Sequence, residues 1–342
     1  MSFAFDFDGD EYSEDESLSK STTLLSLDLP PPPPVTPATE QKVPTASVEC
    51  HDLALLVDGL PLSMSYSTIT VSGGLEVPRR ELWDIKHQLM AGSGPDFKEG
   101  SEEQVMAFMG SDDVIKGVYE GGFKTWECSL DLMHHLAAVP DLMQQHHHHH
   151  RVIFEVGCGT AVPSTYLLAR AVRERTPITL VVQDYNLPVL QLSTVPNLFL
   201  AWYLSTPDRA QSDGQGREEG EVRVSAQDRS EFLRDLAERD VRIRLLTGPW
   251  SREMSSTVGT VDLILASETI YSTANLPAFT SLVKDCLTEE AVALVAAKRV
   301  YFGVGGGVEE FTSELIKQDL AANHVFTSEH GVRRTIMQVS SK

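Results

Sequence analysis

Cysteine is scarce and scattered. Four residues, Cys50, Cys128, Cys158 and Cys286, stand far apart in a chain of 342. No pair has the short spacing of a zinc site, and there is no dense cysteine framework of the kind that staples small secreted domains, so a reducing compartment fits. Cations are also few: 28 Lys and Arg face 49 Asp and Glu, a formal charge of −21. Such a surface does not by itself grip a nucleic-acid backbone, because that binding rests on neutralising phosphates. Its acidity suits either plain solubility or the attraction of a basic protein. No apolar run reads as long enough to span a membrane. The start, Met1 to Asp8, is acidic where a secretory leader is basic, so no export signal is expected.

What remains divides by composition. Residues 1–50 hold ten acidic and two basic side chains and a five-proline run from Pro30 to Pro34. They read as a disordered acidic, Pro-rich tail, too poor in apolar surface to offset its ordering entropy. The alternating Phe3, Phe5 and Phe7 are either a short docking peptide or part of a tail without a partner. Residues 51–145 read as an N-terminal extension packing on the main domain. Within it, Ser67 to Val71 alternates like a strand, Pro78–Met90 reads as helical with Leu82, Ile85, Leu89 and Met90 on one face, residues 91–103 as a Gly/Ser/Pro linker, and Thr125–Val139 as a second helix. The five-histidine run His146 to His150 reads as a solvated linker, since consecutive side chains point in different directions and do not build one coordination shell; no metal site is expected.

Residues 146–342 alternate between strand and helix patterns. Strands are predicted at Val152–Val156, Ile178–Gln183, Arg242–Leu246, Val261–Ala266 and Ala291–Ala297. Helices are predicted at Pro163–Arg173, Pro188–Leu204, Leu276–Leu287 and Val308–Asn323, with a closing hairpin of Val325–Ser328 and Thr335–Ser340. Near-continuous apolar strands separated by helices imply an α/β fold whose mostly parallel, Rossmann-like sheet is covered on both faces, with the hairpin adding an antiparallel strand. The polar, Gly-rich stretch 205–228 reads as a flexible insertion.

In such a sheet, ligands bind beyond the carboxyl ends of the strands. The first strand runs into Glu155-Val156-Gly157-Cys158-Gly159. The glycines let the backbone approach a ligand closely. A dinucleotide site would carry a third glycine where Val162 stands, followed here by Pro163. Its absence points to a ligand without phosphate, S-adenosylmethionine first among them. The second strand ends in Gln183-Asp184-Tyr185-Asn186, where Asp184 accepts both ribose hydroxyls or serves as a turn residue. Trp250, after the third strand, covers an adenine or fills a core. Glu268, after the fourth, lies near the departing methyl and orients an acceptor nitrogen, or caps a helix. The aromatic–glycine run Tyr301-Phe302-Gly303, continuing to Gly307, brings backbone to a substrate or is a flexible loop. Upstream, Gly117 to Glu127 folds over the cofactor through Trp126 or forms a turn and a core helix.

Taken together, these residues resemble the protein-histidine methyltransferases, a branch of the seven-strand S-adenosylmethionine-dependent class. The most specific runs are Gly117 to Lys124 with Trp126-Glu127, Gln183 to Asn186, Ser267-Glu268-Thr269-Ile270-Tyr271, and Tyr301 to Gly307. Related lysine methyltransferases share the Trp-bearing segment and an acidic-x-x-Tyr motif; the second and fourth runs favour the histidine branch. Ala161 stands where many of the wider class carry glycine. The resemblance implies methylation of one histidine on the third universal protein of the large ribosomal subunit, at the imidazole nitrogen distal to the main chain, and hence a basic ribosomal partner met in cytoplasm or nucleus by a monomeric enzyme. Histidine needs little activation, having a pKa of ~6.5 against ~10.4 for lysine. The chemistry does require the attacking nitrogen to be bare and its partner nitrogen to donate its proton to an acceptor. Glu268, Asn186 and Tyr271 are the candidates for that orienting role; Trp126, Glu155, Gly157, Gly159, Asp184 and Trp250 are the candidates for cofactor binding. A lysine methyltransferase of the same fold, a noncatalytic cofactor-binding ribosome-assembly protein and a small-molecule methyltransferase remain as alternatives.

Overall fold

A computed structural model describes residues 47–90, 121–139, 150–206, 219–301, 303, 305–328 and 331–342. Residues 1–46 of the expected tail, the linker 91–103, Gly117 to Glu120, His146 to His149, residues 207–218 of the expected insertion and Phe302 lie outside the described residues; the last four residues of the expected tail, 47–50, are described. Each predicted central strand forms, within a few residues of its predicted bounds. The strands are β4 (Arg151–Val156), β5 (Ile178–Asp184), β7 (Val241–Thr247), β8 (Val261–Ser267) and β9 (Leu287–Lys298). All neighbouring pairs among them are parallel. The closing hairpin, β10 (Leu320–Thr327) and β11 (Arg334–Ser341), joins through β11, antiparallel to β9.

The expected seven strands become eight. β1 (Glu49–His51) adds antiparallel to β7, giving the order β1-β7-β5-β4-β8-β9-β11-β10. Three residues, Glu-Cys-His, carry no apolar alternation by which the sequence could mark them as strand. A second sheet, order β3-β2-β6, is built from β2 (Ser63–Val71), β3 (Leu75–Arg80) and β6 (Glu219–Arg223). Two sequence expectations are corrected there. Pro78 lies on β3, an edge strand where its missing N–H is tolerated, and the helix starts only at Leu82. The stretch read as a flexible insertion contains β6 and a capping box, with Ser225 and Asp228 satisfying each other's backbone N–H at 2.8 and 3.1 Å and starting a helix at Ala226. The strand is charged because only Val222 turns to the core. At the other end, the helix predicted to reach Asn323 stops at Lys317, because Asp319 turns left-handed (φ 59°) and Leu320 opens β10.

Alternation along the strands fills two cores. Ile153, Leu180, Leu263 and Leu265 face one side, packed by α1 (Leu53–Asp58), α3 (Glu127–Ala138), α4 (Val162–Glu174), α5 (Leu187–Ser205) and α6 (Ala226–Glu238). Phe154, Val181 and Ile264 face the other, with α7 (Arg252–Val258), α8 (Leu276–Cys286) and α9 (Val308–Lys317). The remaining described helix, α2 (Leu82–Met90), packs Ile85 with Val189 and Leu192 of α5. By length and composition α5 could cross a membrane, which corrects the expectation of no such run; 78% of its apolar window is buried inside the fold, so its all-round apolarity is that of a core helix.

A π-turn at Leu190–Thr194 in α5 is anchored by the small sheet. Arg80, at the end of β3, donates from Nη1 to the Leu192 carbonyl (3.0 Å), from Nε to Asp84 (2.7 Å) and from Nη2 to Gln88 (2.6 Å). Its backbone N–H donates to Asn197 Oδ1 at 2.6 Å, and Asn197 Nδ2 donates to the Thr160 carbonyl at 2.8 Å. The small sheet thus reaches the turn that follows β4. Replacing the buried guanidinium by an apolar side chain leaves that carbonyl and the Asp84 charge without it. Arg80→Met is expected to cost about 3 kcal/mol in urea unfolding; a loss below about 1 kcal/mol would remove Arg80 as the anchor.

Candidate active site

Beyond the ends of β4, β5, β7 and β8 lies a cleft of about 400 Å³. Its floor is the turn after β4, where Gly157 (φ 58°) and Gly159 (φ 53°) are both left-handed. A Cβ on Gly159 would stand 3.1 Å from the Gly122 carbonyl oxygen, so the upstream segment closes directly onto the turn. Ala161 is left-handed too (φ 51°), in the conformation for which the wider class's glycine is suited, and starts α4.

The last two residues of β5 hold this turn. Gly157 N–H donates to Gln183 Oε1 (3.1 Å) and Gly159 N–H to Asp184 Oδ2 (3.0 Å). Asp184 Oδ1 accepts from the Asn186 N–H at 3.1 Å. Gln183 Oε1 also accepts from the indole N–H of Trp250 (3.1 Å), while its amide donates to the Gly248 carbonyl (3.0 Å). One buried amide therefore joins three strand ends. Gln183 has no role in the sequence reading; the signal was a buried amide following the apolar run Leu180 to Val182 in the wholly buried β5.

Glu155 sits behind the turn rather than on the cleft wall. Its Oε2 accepts from the N–H of Ser164 at 2.9 Å and from the Ser164 hydroxyl, in the first turn of α4, and Oε1 has no hydrogen-bond partner. Direct contact with a ligand, as the sequence suggested, is replaced by support of the helix that starts beneath it. Burial pushes its carboxyl up to about 7, against the opposing effect of the Ser164 hydrogen bonds.

On the other side of the glycine turn stand Glu268, Thr269 and Tyr271, with Trp126, Lys124 and Ser129 opposite. Glu268 is itself left-handed (φ 57°), and its N–H donates to the Ala296 carbonyl of β9 at 2.9 Å. The residue lines the cleft while most of its side chain is buried. Its Oε1 is buried, without a hydrogen bond, and lies 3.6 Å from Lys298 Nζ. Lys298 also pairs with Glu127 at 3.4 Å. Burial alone would lower the Lys298 pKa; Glu268 and Glu127 more than reverse that and raise it. Trp126 donates its indole N–H to the Gly121 carbonyl (3.1 Å), with Lys124 Nζ 4.8 Å and Lys298 Nζ 5.0 Å from its ring centre.

The structure thus brings Trp126, Gly157, Gly159, Asp184, Asn186, Trp250, Glu268 and Tyr271 to one cleft. It separates the proposed substrate loop from it. Tyr301 is packed behind Glu268, its hydroxyl accepting from the Lys298 N–H at 3.2 Å, and burial followed by the nearby Glu268 pushes its phenol up. Gly303 is exposed. The loop acts through Gly306, whose N–H donates to the Tyr271 carbonyl (3.0 Å) and where a Cβ would collide with the backbone of Ile270 and Tyr271. Of the five histidines only His150 is described, and its ring contacts Thr179 (2.7 Å) and Asp240 (3.1 Å).

No protein-family model matches the chain. Histidine protein methyltransferase 1 of Schizosaccharomyces pombe is 35% identical over 304 residues, covering 86% of this chain and 86% of its own length. The protein of that name from Saccharomyces cerevisiae is 31% identical over 290 residues, covering 77% of this chain and 76% of its own length. Among solved structures, a TehB-like SAM-dependent methyltransferase from Corynebacterium glutamicum aligns at 12% identity and TM-score 0.33, over 62% of this chain and 96% of that one, a likeness too remote to carry any argument.

The raised Glu155 carboxyl has a definite sign in stability. The folded state holds this proton up to about 7, whereas an unfolded carboxyl loses it near 4.5. The folded state therefore binds more protons between those values, and stability falls as pH rises through them. Glu155→Gln keeps the acceptor for Ser164 and cannot ionise. Urea unfolding from pH 4.5 to 8 is expected to show the variant gaining on the wild type as pH rises; a pH-independent gap would mean the carboxylate is charged throughout.

Proposed function

The chain belongs to the histidine protein methyltransferase family, and from that premise we propose that it moves a methyl group from S-adenosylmethionine to the distal imidazole nitrogen of a histidine in a basic protein of the large ribosomal subunit, acting as a monomer in cytoplasm and nucleus. The residues fit the cofactor. Asp184, fixed at the end of β5 by the Gly159 and Asn186 N–H groups, puts a carboxylate acceptor on the cleft where two ribose hydroxyls can be met. The Trp250 indole, fixed by Gln183 and packed on Phe279 at 5.2 Å, offers an apolar wall for a purine. The turn lacks the third glycine of a phosphate-binding loop, and the Asp184 carboxylate on the cleft suits a cationic ligand. When bound, the cofactor supplies an activated methyl on a sulfonium.

The protein's part is alignment, exclusion of water and choice of tautomer. A neutral imidazole has one N–H and one bare nitrogen, and the bare one attacks. The observation that carries this reading is Glu268, held at a left-handed backbone position on the cleft with its inner oxygen facing Lys298. A carboxylate so fixed accepts the proximal N–H and leaves the distal nitrogen free. Asn186 and Tyr271 line the same cleft and complete the orienting set. The distal nitrogen is also the one farthest from the substrate's main chain, so a folded protein can present it to a cleft. The net charge of −21 favours a basic partner.

The direct test supplies radiolabelled S-adenosylmethionine and ribosomal extract lacking the modification, then hydrolyses the labelled protein. Methylhistidine of the distal type is expected; methyllysine would move the activity to the sister branch, and cofactor binding without label would favour a noncatalytic module. Asp184→Ala is expected to abolish cofactor binding by calorimetry, and retained affinity would sink the ribose assignment. Glu268→Gln should lower kcat by at least about tenfold, the scale of one lost orienting interaction, with little change in cofactor affinity; equal losses in both would place Glu268 on the cofactor.

A further inference from the structure

We propose that Lys298 makes the acceptor end of the cleft selective for a neutral imidazole over a protonated lysine, by already occupying the cation position beside Glu268. The inference rests on the reading that the acceptor nitrogen docks at Glu268. Lysine arrives as an ammonium, and an acidic cleft walled by an aromatic ring would attract it through both a carboxylate and a π face. Here both attractions are already used by the protein's own cations. Lys298 Nζ stands 3.6 Å from Glu268, 3.4 Å from Glu127 and 5.0 Å from the Trp126 ring centre; Lys124 Nζ stands 4.8 Å from the same ring. Lys298 matches the Glu268 charge from its buried side, so an incoming ammonium finds that carboxylate already paired and must lose hydration as well. An imidazole needs no such compensation.

The same arrangement keeps the acceptor unprotonated. A cation beside the acceptor disfavours imidazolium, whereas a bare carboxylate would stabilise it. The other groups facing Lys298 do not change this sign. Cys128 of α3 and Tyr301 after β9 are both pushed up by burial, so they stay neutral. Arg334 of β11, whose backbone is in register with Lys298, is paired with Asp131 of α3 at 2.5 Å. Sequence reasoning passed over Lys298, which stands at the start of the run Lys298-Arg299 and has no motif of its own.

The test uses the full chain with radiolabelled S-adenosylmethionine and the unmodified ribosomal extract, scoring methylhistidine against methyllysine from pH 5.5 to 9. Lys298→Met is expected to lower the methylhistidine to methyllysine ratio by about tenfold and to move the acid limb of the histidine reaction up by about one pH unit. Lys298→Arg is expected to keep both near wild type. Lys298→Gln, which retains a donor, is made alongside, so that a misfolded methionine variant leaves the comparison intact. A neutral variant that binds cofactor normally but keeps the wild-type ratio and pH profile would overturn the proposal. Wild-type enzyme that makes no methylhistidine would overturn the assignment beneath it instead, whatever the variants do.

Discussion

Two backbone N–H groups, those of Gly157 and Gly159, decide how the cleft is shaped. A left-handed turn directs its amides away from the strand that leads into it, and buried amides need acceptors. Gln183 and Asp184 provide them from the neighbouring parallel strand, in the register that sets Val156 beside Gln183. Because Gln183 also receives the Trp250 indole and reaches the Gly248 carbonyl, the ends of β4, β5 and β7 are fixed as a unit. From the other direction, Asn197 ties Thr160 to Arg80. A ligand entering the cleft therefore meets a floor that is already organised, and the ordering cost has been met in folding rather than at binding.

Such a site carries internal costs. Glu155 is buried with one oxygen unpartnered, Glu268 adopts a conformation that side-chain-bearing residues avoid, and Oε1 of Glu268 receives no hydrogen bond. Each opposes stability by an amount on the order of 1 kcal/mol or more. They persist because two well-filled cores on either side of the sheet hold the strand ends in place. Glu268 lines the cleft and Ala161 stands just after its glycine turn, whereas the other left-handed residues with side chains, Arg175, Asp240 and Asp319, serve chain reversals elsewhere.

The central sheet was legible because buried parallel strands are apolar on both faces, and five such runs separated by helix patterns admit few arrangements. Gly157, Gly159 and Asp184 were legible because they occupy fixed places at strand ends. What escaped the sequence was whatever lacks a period. β1 is three polar residues that pair only because β7 offers a free edge. β6 is charged on every side but one. Glu155 looked like a ligand contact because sequence gives its position on the strand but not which way its carboxylate turns. Tyr301 looked like a substrate contact for the same reason, and it lies behind the residue that lines the cleft. Lys298 matters only through partners from α3 and the loop after β8, and no local pattern announces a contact between residues so far apart in the chain.

The charge of the molecule and the charge of its site act at different ranges. A formal −21 produces a field that favours cations of any kind, but salt screens exposed charges beyond about 8–10 Å. That field cannot distinguish one side chain of a basic partner from another, and by itself it favours lysine, the side chain that carries charge. Discrimination has to arise within the few ångströms where the acceptor sits. On the proposed reading Lys298 already pairs Glu268 there, so the pull of that carboxylate on a cation is weakened where the acceptor docks. On the proposed function, an acidic enzyme could in this way attract a basic protein and still methylate a neutral side chain of it.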